Sequence, residues 1–177
     1  MSIVLQGSTS GSVTLQEPAV AGTTVLDLPA VSGTIITTGS PQSGSVLQVV
    51  NATFNAPAQV STSSTTAQST VLTVTITPKF ATSKILVMAN TQILNNAATN
   101  YGYIGIYRNG SVSLGFNSVI YGGSGVAWVP ATNISYDSPA TTSATTYTLY
   151  YKAGAGQVNV FWGAGTSSTI TAMEIAA

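Results

Sequence analysis

Apolar and polar side chains alternate with a period of two along most of this chain, the pattern of strands that bury one face. The pattern is clearest around Ile76-Thr77-Pro78-Lys79-Phe80-Ala81-Thr82-Ser83-Lys84-Ile85-Leu86-Val87, where two alternating runs flank a short polar bend. Leu72, Val74 and Ile76 share a face before the bend. Ile85 and Val87 share one after it, with Leu86 and Met88 opposite. Pro78 has no amide proton to give a ladder and closes the first run. The later strands are expected to pack against this pair.

Read this way, the chain predicts strands at approximately 45–54, 70–77, 84–94, 101–108, 112–120, 126–136, 145–152, 157–162 and 169–176. Ser61–Ser69 is a polar loop or a weak edge strand. Asn109-Gly110 between alternating runs favours a type I′ hairpin turn. Gly122-Gly123-Ser124-Gly125 and Ala153-Gly154-Ala155-Gly156 mark further turns. Strands at this spacing, without helical periodicity, predict an all-β antiparallel sandwich or jelly roll over 45–177. About 130 residues are enough for a two-sheet core.

Ahead of that domain, residues 11–54 repeat every eleven positions. Gly11-Ser12-Val13-Thr14-Leu15-Gln16-Glu17-Pro18-Ala19-Val20 is echoed by Gly22-Thr23-Thr24-Val25-Leu26-Asp27-Leu28-Pro29-Ala30-Val31, and Gly33 and Gly44 open further copies. Glycine supplies a turn and proline ends each short β-prone run. A unit this small holds too little apolar surface to fold alone, so the repeats predict an extended β-rich arm completed by neighbours. The Gly, Ser, Pro and Gln of 39–44 mark the boundary, giving an arm over 1–44 and a domain over 45–177.

Several strands are apolar on both faces. Tyr101, Tyr103 and Tyr107 oppose Ile104 and Ile106; Tyr147, Leu149 and Tyr151 oppose Thr148 and Tyr150; Val158, Val160 and Trp162 oppose Phe161. One face of a strand in a lone sandwich normally meets water, so the second apolar face implies burial, most simply against another copy of the chain.

Composition sharpens this. Charged residues are 5% of the 177, against roughly 25% in ordinary soluble domains. They are Glu17, Asp27, Lys79, Lys84, Arg108, Asp137, Lys152 and Glu174, and the net charge is zero. With 44% hydrophobic residues the chain lacks the composition of disorder. No basic cluster exists to neutralise phosphates or anionic lipid, so nucleic acid and membrane surfaces are not expected partners. No apolar run approaches a membrane span, and residues 1–11 lack the basic and apolar regions of a signal peptide.

The chain has no Cys and no His. Disulfides, thiolate metal sites, the commonest zinc ligand and the usual general base are therefore missing. A glycosidase needs two converging carboxyls, and Glu17, Asp27, Asp137 and Glu174 are scattered in sequence. Asp137 reads as a turn former before Ser138-Pro139. Glu174, in the last strand, is expected to pair with Arg108 or Lys84 as a registry device. Gly102 and Gly105 read as close-packing or bulge positions, since no helix follows to make a phosphate cradle. Trp128, Trp162 and the tyrosines could stack on sugars, but packing in a core or interface is the favoured reading. No catalytic, cofactor-binding or metal site is expected, and the chain is read as a non-enzyme without a cofactor.

Ile76-Thr77-Pro78, Ser83-Lys84-Ile85-Leu86-Val87, Ile106-Tyr107-Arg108-Asn109-Gly110, Thr146-Tyr147-Thr148-Leu149-Tyr150-Tyr151-Lys152 and Ala172-Met173-Glu174-Ile175 occur in an order and spacing that resembles small virion proteins of tailed bacteriophages, cyanophages among them. The Gly-Ser-Val-Thr-Leu arm also resembles N-terminal segments of phage structural proteins. The resemblance implies a trimeric jelly roll similar to tumour-necrosis-factor-like heads, found in fibre tips and in capsid decoration proteins. The expectation drawn from it is a homotrimeric decoration, or cement, protein on the capsid exterior that clamps adjacent major capsid subunits. The alternative is a tail-fibre or tailspike tip that binds a host surface glycan through Trp128 and the Gly122–Gly125 turn. A polysaccharide-degrading appendage is a third reading, disfavoured by the missing carboxylate pair.

Overall fold

The computed structural model describes residues 3–177, apart from 17, 24, 26, 28, 29, 56–58, 96–100, 122–126, 155 and 162–166. The expected turn at Gly122–Gly125, Ala155, Trp162 and Glu17 thus lie outside the described residues, as does the side chain of Trp128. The chain divides into two compact units, Met1–Ile35 and Ile36–Ala177.

In the first unit β1 (Ile3–Gln6) and β2 (Ser12–Leu15) pair antiparallel, Ile3 opposite Leu15 and Leu5 opposite Val13. Gly7 N donates to Gly11 O at 2.8 Å to close the hairpin. The strand Ile3–Gln6 was not legible from the repeat, which begins at Gly11. Gly11 and Gly22 take positive φ (78° and 59°), as does Gly44 (84°) in the second unit, so three of the glycines spaced by eleven share the backbone region that disfavours a Cβ. Among the described residues the second and third repeats form no strand. A single ribbon offers them no ladder partners, and a two-stranded hairpin alone is marginal in water.

The second unit holds β3 (Val46–Asn55), β4 (Val60–Thr62), β5 (Gln68–Ile76), β6 (Lys84–Asn95), β7 (Tyr101–Arg108), β8 (Val112–Tyr121), β9 (Ala127–Asp137), β10 (Thr145–Ala153), β11 (Val158–Val160) and β12 (Ser167–Ile175). One sheet runs β5-β10-β7-β8. The other runs β3-β12-β6, and β6 pairs β9 along its far edge. Short β11 continues the line of β12 along β6 and carries β4 outside it. Every pairing is antiparallel, and apart from the β7–β8 hairpin the eight long strands alternate between sheets, which is the jelly-roll order.

The polar bend within the Ile76–Val87 stretch is a corner between the two sheets. β5 hydrogen-bonds to β10, while β6 is gripped by β12, β11 and β9. Pro78 stops β5 from continuing, and Ser83 N donating to Phe80 O turns the chain into the opposite sheet. The inner faces then meet: Leu72, Val74 and Ile76 of β5, Ile85, Val87, Ala89 and Ile93 of β6, Ile104 and Ile106 of β7, Tyr147, Leu149 and Tyr151 of β10, and Ile170 and Ala172 of β12 form one buried cluster.

The β7–β8 turn has the expected form. Asn109 and Gly110 both take positive φ, 49° and 69°, and Ser111 N donates to Arg108 O. Gly102 and Gly105 are close-packing positions. A Cβ on Gly102 would sit 2.9 Å from a Val158 methyl; one on Gly105 would sit 2.5 Å from Gly115 O and 2.8 Å from the Phe116 ring. Register shifts flank both glycines.

Candidate functional site

Two of the carboxylates that are scattered in sequence come together in the fold. Glu174 lies opposite Ile85 on one side, and Asp137 lies opposite Ile85 on the other. Partners in a ladder share a face, so both acids project into the sandwich in one cross-strand row, two strand spacings or about 10 Å apart. Each is already saturated by the protein.

Asp137 is buried at the end of β9, not in a solvated turn. Arg108 Nη1 donates to both of its oxygens (2.8 and 2.9 Å), and the Tyr147 hydroxyl donates to Oδ2 (2.8 Å). Arg108 and Tyr147 belong to the sheet opposite β9, so this clasp ties the two layers together. Burial, and then the Asp137 carboxylate itself, push the Tyr147 hydroxyl far above its ordinary range, which keeps it a donor.

Glu174 pairs with neither Arg108 nor Lys84. Arg108 goes to Asp137, and Lys84 Nζ donates to Ser138 Oγ at 2.8 Å. Glu174 instead accepts from Lys79 N (2.7 Å), Phe80 N (3.3 Å) and Gln48 Nε2 (2.6 Å), so the last strand is stitched to the corner between sheets. Burial pushes its carboxyl up, but nearby Ser83, Gln48 and the two amides outweigh that and hold it below the usual carboxylate range. The Ser83 hydroxyl contributes by proximity, since its buried Oγ meets hydrogen-bond geometry with no protein atom. A carboxylate held ionised by backbone amides suits structure better than general-acid chemistry.

The outer faces of the two sheets differ sharply. On β5-β10-β7-β8 the tyrosines gather into a strip with Phe116. Tyr107 and Tyr150 stack with centroids 4.1 Å apart, and Phe116 meets Tyr107 edge-on at 5.9 Å. Lys152 Nζ lies 4.8 Å from the Phe116 ring and 5.1 Å from Tyr103, and Tyr103 meets Tyr101 edge-on. These rings spend their faces on one another and on Lys152, which leaves them half-buried without a partner.

On β3-β12-β6-β9 the ladder registers align outward rows instead. Val49, Met173, Leu86 and Tyr136 form one row across the four strands. The next row is Asn51, Thr171, Met88 and Ile134, and beyond it comes Thr53, Thr169, Asn90 and Thr132. One end of this face is therefore apolar and the other polar.

No protein-family model and no curated protein matches the chain. Among solved structures it is similar to infectious bursal disease virus of the Gt strain, at 14% identity over 98% of this chain and 46% of that one, with a TM-score of 0.43. It is also similar to a mutant VP2 protein of infectious bursal disease virus in derived T=1 particles, at 15% identity over 94% of this chain and 43% of that one, with a TM-score of 0.43. The chain spans less than half the length of these structures.

Proposed function

We propose that the chain is a non-enzymatic structural protein of a phage virion: a homotrimeric decoration protein on the capsid exterior that clamps neighbouring major capsid subunits. The single observation that carries this reading is the first unit. Ile3, Val4, Leu5, Val13, Leu15, Val20, Val25, Val31 and Ile35 are all exposed, on a segment whose described residues form one short hairpin and whose charged side chains are Glu17 and Asp27. Such a ribbon gains stability only from surfaces outside itself. The sequence resemblance to tailed-phage virion proteins supplies the setting.

In this reading residues 1–44 lie along neighbouring shell subunits, adding strands and apolar area, while the jelly roll of 45–177 supplies the rigid body. Trimerisation turns several weak arm contacts into one lasting attachment through effective concentration. The saturated carboxylates Asp137 and Glu174 serve the clasp between sheets and not a reaction. The tail-tip alternative would act through Trp128 and the Gly122–Gly125 turn, which lie outside the described residues.

Electron cryomicroscopy of intact particles tests the proposal. Density for the jelly roll at three-fold positions of the shell, with arms traced onto adjacent subunits, is the expected result. Density on the tail, together with binding on a glycan array, transfers the protein to the receptor-binding class. Absence from purified particles sinks the virion reading altogether.

A further inference from the structure

The C-terminal half of β9 is built inside out. Beyond Ala131, which sits in the core, its inward side chains are polar: Asn133, Ser135 and Asp137 are only 2%, 7% and 8% exposed. Its outward ones are apolar: Ile134 and Tyr136 are 59% and 61% exposed. A slip of one residue would reverse every side chain and bury the apolar pair. The fold instead fixes the polar set inside with specific bonds. Asn133 Nδ2 donates to Ile104 O across the sandwich (3.3 Å), Ser135 Oγ donates to Asn133 Oδ1 (3.0 Å), and Asp137 takes the Arg108 and Tyr147 clasp. Holding Ile134 and Tyr136 in water this way is unfavourable for an isolated domain.

The neighbouring strands extend the same anomaly. Tyr136 ends the row Val49–Met173–Leu86–Tyr136, Ile134 sits beside Met88, and Ile175 and Val46 adjoin the row on its other side. The rest of the face is satisfied internally, with Asn51 Nδ2 donating to Thr171 Oγ1 (2.8 Å) and Asn90 Nδ2 to Thr132 Oγ1 (3.0 Å). Only the apolar end calls for cover.

We infer that this apolar end of the outer β3-β12-β6-β9 face is the contact surface between copies of the chain. The inference deepens the homotrimer reading proposed above and rests on it: the like faces of the three copies turn toward one axis. Two features favour a second copy as the occupant. The patch carries no carboxylate side chain, and the cations at its margin, Lys84 and Lys79, are held by Ser138 Oγ and Leu47 O, so like faces meet with little charge repulsion. Val46, Val49, Ile134 and Tyr136 are each more than half exposed, so cover by like faces takes four large apolar side chains per copy out of water. The outer aromatic strip of the opposite sheet, already half-buried by its own stacking, has less to gain.

Sedimentation velocity on the full chain at tens of micromolar tests this. The wild type is expected at a multiple of 17.9 kDa. The Ile134→Lys/Tyr136→Lys variant is expected at the monomer mass with its β-sheet circular dichroism intact, whereas Val71→Lys on the opposite sheet keeps the wild-type mass. A monomeric wild type overturns both the oligomer reading and this surface. An assembling wild type with an equally assembling, folded double variant overturns the surface alone. Should the double variant not fold, Ile134→Cys decides, because the chain has no other cysteine. A short bis-maleimide then yields a covalent dimer if the face is shared between copies, and none if it is not.

Discussion

Glu174 is completely buried and takes its hydrogen bonds from Lys79 N, Phe80 N and Gln48. Its folded pKa lies below the ordinary value of 4.5. It therefore contributes stability that is full above that value and fades as pH falls from there toward the lower folded value. Urea midpoints measured against pH should drop below about pH 4.5, and more steeply in wild type than in Glu174→Gln. At pH 7 the Gln variant should lose about 1–3 kcal/mol, because it sets an amide against buried donors. The Asp137 clasp is probed by removing its donors one at a time. Tyr147→Phe should cost about 1 kcal/mol and Arg108→Ala about 2–3 kcal/mol in denaturant unfolding. The larger loss follows from leaving Asp137 charged and enclosed, tempered because Arg108 remains 22% exposed.

Among the elements, β7 is shaped by what it lacks. Phe116 lies over Gly105, its cross-strand partner, and a methyl there meets both the ring and Gly115 O. Gly105→Ala should therefore destabilise the domain by about 1–3 kcal/mol. It should also weaken the near-ultraviolet circular dichroism of the Tyr107–Phe116–Tyr150 strip, read in the same samples. β9 teaches the converse lesson. Its C-terminal half alternates like any half-buried strand, yet Ile134 and Tyr136 face out while Asn133, Ser135 and Asp137 face in. Alternation identifies a strand without saying which face the core takes.

For the whole molecule, the two units predict separable behaviour. The side chains of β1 and β2 are exposed, so they add little to the cooperative stability of the jelly roll. Removing residues 1–35 should leave the thermal midpoint of the remaining domain within about 2 °C of wild type. On the decoration reading proposed above, the same truncation should abolish binding to particles that lack this protein, measured by co-sedimentation.

Much of the architecture was legible from residue types. Pro78, the Asn109-Gly110 turn and the alternating runs located the long strands to within a few residues, because turn chemistry and period-two burial act locally. The partners of the charges were not legible in that way. Glu174 was expected to find a cation, but the corner at Lys79–Phe80 brings backbone amides closer, and no local pattern encodes an approach across so many residues. Asp137 resembled a turn former because its neighbours Ser138 and Pro139 are turn residues, while the Arg108 and Tyr147 that enclose it come from the opposite sheet.

Residue types and short-range periodicity were enough for the all-β class, the approximate strand positions, the poverty of charge and the want of histidine and cysteine chemistry, since these are local properties of the chain. Strand pairing was needed to show that the Ile76–Val87 stretch bridges two sheets, that Glu174 and Asp137 share one inward row, and that β9 turns Ile134 and Tyr136 to the outside. Those outcomes depend on which strands become neighbours and in what register, and register is set by the sum of long-range pairings, not by any one segment.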